Sequence, residues 1–216
     1  MVEQRFQDSE RILILSTTLD LALAFIKVLV GWLANSHALI ADGIHSLSDL
    51  FTDLMAWFFI QIADQAPDAD HPYGHARFET FGTMLLGAIL LAVAATIIYD
   101  GVVRLYNIAD VVAPGWIALV VAAISIGTKE WLYRVSRTTG EKVQSKLLIA
   151  NAWHHRSDAL SSIVVFIGVG GAIVGIAWLE MAASIVVALM IARIGWKFGR
   201  QSMAELVDTA LSEAEV

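Results

Sequence analysis

Long uncharged apolar runs alternate with short polar segments along the chain, which is the pattern of membrane-spanning helices. Uncharged stretches cover 20 residues from Thr80 to Tyr99, 18 from Val111 to Thr128 and 21 from Ala159 to Leu179. Crossing ~30 Å of hydrocarbon takes about 20 mostly apolar residues. The pattern predicts an all-α membrane protein with six transmembrane helices, at about 12–34, 37–63, 79–106, 112–134, 146–174 and 178–200.

Most of the basic residues lie at every second loop, and these loops are all on the same side of the membrane. The loops near 35–36, 107–111 and 175–177 contain no Lys or Arg. Bases occur before span one, between spans two and three, between spans four and five, and at the end of span six. In that order they are Arg5 and Arg11; Arg77; Arg134, Arg137, Lys142 and Lys146; and Arg193, Lys197 and Arg200. The positive-inside rule therefore predicts that both termini are cytoplasmic, as an even number of spans also requires.

Composition narrows the function classes. Of 216 residues, 57% are hydrophobic and 16% charged, and 21 acidic residues outnumber 14 basic ones, which argues against a nucleic-acid partner. The absence of Cys excludes a disulfide framework and a thiolate metal site. Because only 201–216 follows the last span, we expect residues 1–216 to form a single transmembrane domain in the lipid bilayer, with no C-terminal soluble domain.

Candidate chemistry lies in spans two and five, where His45 and Asp49 share the HxxxD spacing of His154 and Asp158. Residues four apart lie on one helix face. At 1.5 Å per residue, each His lies ~12 Å and each Asp ~18 Å from the end where its helix enters the membrane. The two helices run antiparallel, so Asp49 would match the depth of His154 and His45 that of Asp158. This predicts a midplane set of two imidazoles and two carboxylates, which suits tetrahedral Zn²⁺.

The alternative interpretation is that polar groups in the spans only hold helices together. It fits Asn35, Asn151, Ser161 and Ser162 about as well as a binding role does. It fits the HxxxD pairs poorly, because two charged carboxylates buried without a cation are costly.

A second cluster lies in the loop between spans two and three, which reads QAPDADHPYGHARFE. Asp68, His71 and His75 are its candidate ligands, and Pro72 and Gly74 favour a turn there. The alternative is a solvated acidic loop with two incidental histidines. We expect a second, more exposed cation site.

Together these motifs resemble the cation diffusion facilitator family. The resemblance rests on HSLSD in span two, HPYGHARFE in the loop and HHRSDALSS in span five, and it extends from the first span to LVDTAL at 206–211. It implies a proton-coupled exporter of divalent metal working as a homodimer, with the HxxxD quartet as transport site and the loop triad as a further site. Members with His and Asp on both helices are usually zinc-selective; Cd²⁺, Fe²⁺ and Mn²⁺ are the other candidate substrates.

Other family features carry over position by position. Arg77 and Asp208 match a base and an acid that form an ion pair near the cytoplasmic base of the dimer. Most members continue into a soluble cytoplasmic domain after span six, so this chain is either a short form or a trimmed one. We expect a multi-pass protein of the bacterial inner membrane. Arg156, about 160° around the helix from Asp158, should face away from the metal.

Two other function classes stay open at this stage. A membrane enzyme with a zinc-bound water would need a general base and an open coordination position. A passive metal channel would need neither ATP nor protons. The chain has no HExxH and no Walker motif, so we expect no enzyme activity and no cofactor.

Overall fold

Six helices make up the regular structure of the residues described by the computed structural model, which are 2–63, 76–108 and 112–207; side chains are described within 12–52, 54, 80–108, 112–145 and 148–207. In chain order, the helices are α1 (Val2–Leu33), α2 (His37–Ala63), α3 (Ala76–Tyr106), α4 (Trp116–Val143), α5 (Lys146–Ile173) and α6 (Trp178–Leu206). The prediction of an all-α protein is confirmed over this part of the chain.

Helix α2 has the predicted bounds, and α5 differs by one residue at its end. Helix α4 begins at Trp116, within the predicted span 112–134, and continues nine residues beyond 134. Hydropathy marks only the apolar part of a helix. The polar continuation is stabilised by (i, i+4) ion pairs, Arg134 to Glu130 at 2.9 Å and Arg137 to Glu141 at 2.8 Å. Helix α6 likewise extends to Leu206 rather than 200.

Five of the six helices are long and apolar enough to cross a membrane: α1, α3, α4, α5 and α6. This supports an integral, multi-pass membrane protein. Helix α2 is not among them and carries three acidic residues, Asp42, Asp49 and Asp53. The second span therefore stays a prediction, as does the orientation of the termini.

The chain divides into two compact units, one of residues 1–50 with 97–188 and one of 51–96 with 189–216. The first has a core of small and β-branched side chains, which lets its helices approach closely. Its members include Ala34, Ala38, Leu39, Ala118, Ala122, Val165, Val169 and Val187. In the second unit, α3 and α6 pack backbone to backbone, because a Cβ at Gly87 would lie 2.8 Å from the Gly195 carbonyl oxygen.

A buried carboxylate fixes the start of α2 within the first unit. Asn35 adopts a left-handed φ of 52°, which turns the chain between α1 and α2. Ser36 is the N-cap, and its Oγ accepts a hydrogen bond from the Leu39 amide at 3.2 Å. Glu180 of α6 accepts from the Ala38 amide at 3.0 Å and from the Ser36 hydroxyl at 3.1 Å. These bonds pin the N-terminus of the helix that carries His45 and Asp49.

Candidate metal centre

Three of the four residues of the HxxxD pairs converge in the first unit. Ligand atoms of His45, Asp49 and Asp158 all lie within 4.8 Å of one another. His45 Nε2 is 4.0 Å from Asp49 Oδ2, as expected for residues one helical turn apart on α2. His45 and Asp158 are buried and Asp49 is 15% exposed, so the cluster is largely shielded from solvent.

The fourth residue, His154, lies at the edge of the cluster. Its Nε2 is 3.9 Å from Asp49 Oδ2 and 3.7 Å from Asp158 Oδ2, while 45% of its side chain is exposed. The structure therefore brings together two imidazoles and two carboxylates from α2 and α5. Both carboxylates lie on the buried side of the set.

Some polar atoms in this cluster have no hydrogen-bond partner among the described residues. Asp49 Oδ2 and His45 Nδ1 are both buried and without one. Buried polar groups are nearly always satisfied, so such exceptions require an explanation. A cation held between the carboxylates would satisfy the Asp49 oxygen, which makes this site chemically suited to a metal.

A lysine that the sequence analysis did not single out lies against the same carboxylate. Lys129 of α4 is 2% exposed, and its Nζ donates a hydrogen bond to Asp158 Oδ2 at 2.7 Å. The same ammonium lies 2.8 Å from Asp20 Oδ1 of α1. Three helices thus supply an acid–base–acid triad that includes one of the predicted ligands.

The side chains next to the HxxxD pair on α5 point to different partners. His155 is buried, with Nδ1 3.5 Å from Asp20 Oδ2 and Nε2 3.1 Å from the Asn151 amide nitrogen. Arg156 donates to the Tyr133 hydroxyl at 2.9 Å and lies over the Tyr133 ring, 4.7 Å from its centroid. The guanidinium is thus bound to Tyr133 of α4.

A second buried lysine, Lys27 of α1, is paired with Asp42, which lies one turn before His45 on α2. Lys27 and Asp42 are both inaccessible to solvent and form an ion pair of 2.8 Å. Lys27 also donates to Ser46 and Ser162, at 3.3 and 3.1 Å. Asp42 accepts from the hydroxyls of Ser161 and Ser162, each at 2.9 Å. Ser161 and Ser162 therefore make contacts that hold helices together, because their hydroxyls link α5 to Asp42 of α2.

A signal for both lysines was present in the sequence. Ionisable groups inside a span are costly and usually functional. Lys27 and Lys129 each lie at the end of an uncharged run, Val28 to Ala41 and Val111 to Thr128. Both also lie inside the predicted spans 12–34 and 112–134, so the signal was available, whereas their partners on other helices are seen only in the tertiary structure.

The remaining candidate residues lie outside what the structure describes. These are the loop residues Asp68, His71 and His75, the acid Asp208 and the side chain of Arg77. The loop site and the ion pair stay predictions.

With this geometry, the similarity to known proteins becomes informative. Residues 13–207 match the family model of the cation efflux transmembrane domain. The chain belongs to the cation efflux family. This is the cation diffusion facilitator family that its motifs resemble.

Individual relatives agree with the family assignment. Metal tolerance protein C1 of Arabidopsis thaliana is 41% identical over 220 residues, covering 95% of this chain and 46% of that protein. An uncharacterized transporter of Methanocaldococcus jannaschii is 41% identical over 190 residues, covering 88% and 67%. Manganese efflux system protein MneP of Bacillus subtilis is 33% identical over 218 residues, covering 98% and 73%.

The chain spans about half the length of the plant relatives it matches, 46% of the Arabidopsis protein and 59% of metal tolerance protein 2 of Oryza sativa.

Proposed function

We propose that this chain exports a divalent metal cation, Zn²⁺ in the first place, in exchange for protons. The observation that carries the proposal is the clustering of His45, Asp49 and Asp158 ligand atoms within 4.8 Å inside apolar helices. His154, less than 4 Å from both carboxylates, completes a four-ligand set. Fe²⁺, Cd²⁺ and Mn²⁺ are the competing substrates, and two Bacillus subtilis relatives are named manganese efflux proteins.

The ligand spacing supports zinc as the substrate. Tetrahedral Zn²⁺ with bonds of 2.0–2.1 Å brings its ligand atoms to about 3.3 Å from one another. Three of the separations in the set are 3.7–4.0 Å, and those among His45, Asp49 and Asp158 are within 4.8 Å. Binding of Zn²⁺ would therefore draw the four side chains closer together.

Proton exchange follows from the imidazoles. A neutral imidazole binds metal and a protonated one does not. Zn²⁺ arriving from the cytoplasm displaces protons from His45 and His154, and protons entering from outside displace Zn²⁺. In this mechanism six spans with cytoplasmic termini alternate access to the midplane site. Asp49 and Asp158 supply the negative charge that holds the ion.

The test is a flux measurement on purified protein in liposomes. Zinc uptake is followed with one internal dye and internal pH with another, while the imposed pH gradient is varied. We expect Zn²⁺ entry to be accompanied by proton release, and to accelerate when the lumen is made acidic. Zinc flux that is insensitive to the proton gradient would identify a passive channel, and no flux would contradict transport altogether.

Ligand identity should set the choice of metal. Imidazole ligands suit Zn²⁺, whereas carboxylate oxygens suit Mn²⁺ and tolerate larger coordination spheres. We therefore expect His45→Asp to raise Mn²⁺ or Cd²⁺ transport relative to Zn²⁺ by roughly tenfold, on the scale of ligand-shell effects. Competition flux with mixed metals measures the ratio. An unchanged ratio in a variant that still transports would show that the ligands do not select the metal.

The loop triad of Asp68, His71 and His75 is proposed as an auxiliary cytoplasmic site.

The protein is proposed to be a homodimer, with an Arg77–Asp208 ion pair at the cytoplasmic side as part of that assembly. Placing two like charges at this pair should then weaken the dimer, and restoring opposite charges in reversed order should strengthen it again. Asp208→Arg is expected to lower the dimer fraction and added Arg77→Asp to restore part of it, because leaving one shielded charge unpaired costs more than the pair contributes.

Single-molecule photobleaching in lipid, across a dilution series, measures that dimer fraction. The matched control is Arg134→Asp, which reverses an exposed base on another helix. A dimer fraction that Asp208→Arg leaves unchanged would exclude the pair from assembly.

A further inference from the structure

The acid–base–acid triad of Asp20, Lys129 and Asp158 joins the proposed metal site to α1 and α4. The aligned hydrogen bond from Lys129 goes to Asp158 Oδ2, at 2.7 Å. Asp20 Oδ1 is as close, at 2.8 Å, but has no aligned hydrogen bond within the described part of the chain. The ammonium therefore touches two carboxylates while being hydrogen-bonded to one.

The oxygen that accepts from Lys129 belongs to the metal cluster. Asp158 Oδ2 is also the atom 3.7 Å from His154 Nε2. An ammonium at hydrogen-bond distance and a metal ion at about 2.0 Å would place two cations against one oxygen. The two cations repel each other at this distance, so release of Oδ2 by Lys129 favours the binding of a metal through this oxygen.

The charges are matched to that exchange. Once His45 and His154 have released their protons, Asp20, Asp49 and Asp158 carry three negative charges and Lys129 carries one positive charge. The net charge of −2 is what one divalent cation neutralises. Without Lys129, the group would hold −3 in a buried region, and without Asp20 it would hold only −1.

We propose that Lys129 is a tethered counter-cation of the transport site, which occupies Asp158 when no metal is bound and moves onto Asp20 when the metal takes Asp158. Asp20 and Lys129 are then positioning residues, since neither is a metal ligand in this arrangement. The movement of Lys129 exchanges one ion pair for another and itself transfers no covalent bond or proton; the protons released on metal binding come from the two imidazoles. The inference rests on the proposed function, because it assigns these residues a part in metal binding at the same site.

The triad predicts opposite effects for changes at two residues that do not bind the metal. Lys129→Met removes the competing cation and should tighten Zn²⁺ binding by at least about tenfold, given the strength of charge interactions at this distance. Asp20→Asn removes the alternative acceptor and should weaken binding by at least about tenfold. A purely structural ion pair would weaken binding in both variants or in neither.

The experiment is a Zn²⁺ titration by calorimetry on the full chain in detergent, paired with liposome flux. Lys129→Met leaves three buried carboxylates, so Lys129→Met/Asp20→Asn serves as a second variant with the original net charge of −2. It too should bind Zn²⁺ about tenfold more tightly than the parent. The matched control is Lys27→Met/Asp42→Asn, which removes the other buried ion pair and should change the affinity by less than about threefold.

Failure of this inference is distinguishable from failure of the proposed function. If the parent binds Zn²⁺, loses it on Asp49→Ala, and the double variant of Lys129 and Asp20 binds no more tightly, the counter-cation role is excluded while the transport site stands. If the parent neither binds nor transports metal, the proposed function itself fails. Tighter binding in both Lys129 variants with weaker binding in Asp20→Asn is the result that supports the exchange.

Discussion

Asp49→Ala is expected to abolish zinc flux in liposomes, with a loss of at least about 100-fold, because even residues that only support a ligand typically contribute 10–100-fold. The Asp49 carboxylate lies 4.0 Å from His45 Nε2 and 3.9 Å from His154 Nε2, so it contacts both imidazoles of the set. Its removal leaves one carboxylate, Asp158, which is already paired with Lys129. The remaining site cannot neutralise a divalent cation.

A matched control distinguishes loss of the transport site from misfolding of the variant. Asp100→Ala removes an acidic side chain from α3 that is 45% exposed, lies 2.8 Å from Arg104 and 3.1 Å from His37, and is not one of the clustered ligand residues. It should transport at the parental rate. Asp49→Asn serves as an isosteric variant with the same charge change, and should fail as Asp49→Ala does. Parental flux in correctly inserted Asp49→Ala protein would exclude the HxxxD quartet as the transport site.

The second large effect concerns stability. Lys27 and Asp42 are completely buried, and the pair joins α1 to α2 and, through Ser162, to α5. Breaking a buried pair by removing one partner costs about 3–5 kcal/mol, because the other charge is left unpaired away from water. Lys27→Met and Asp42→Asn should each destabilise the protein by that amount.

The double variant Lys27→Met/Asp42→Asn should recover most of the lost stability, because it leaves no unpaired charge. Unfolding by sodium dodecyl sulfate in mixed micelles gives the free energies for the cycle. The exposed pair of Arg134 and Glu130 is the control, and Arg134→Met should cost less than about 1 kcal/mol. Additive losses in the Lys27 and Asp42 double variant would show that the two residues do not act as a pair.

Much of the helix pattern was accessible from the sequence. The bounds of α2 and α5 follow from local signals, such as the Asn35–Ser36 turn and the Ser145 cap, whose Oγ accepts from the Leu148 amide. The continuation of α4 to Val143 was not predicted, because charged (i, i+4) pairs stabilise a helix without raising its hydropathy. Apolar runs measure the membrane-facing length, and helix length includes the polar ends.

The site divides in the same way. Chemistry within one helix is readable from spacing, and HxxxD places His45 with Asp49 and His154 with Asp158 on any α-helix. Contacts between helices depend on how each helix is rotated about its axis and which neighbours it packs against. The triad joins residues 20, 129 and 158, and no periodicity in the sequence relates those positions.

The sequence by itself therefore determined the helical class, the pairing of His with Asp on one face of each HxxxD helix, and the family, because each depends on residue type and spacing along one chain segment. The tertiary structure alone decided that His154 lies at the edge of the cluster and that Lys129 shares Asp158 with it. It alone showed that Lys27 is satisfied by Asp42 and two serines. The physical reason is that a buried charge is tolerated only where other helices bring partners to it, and those partners are distant in sequence.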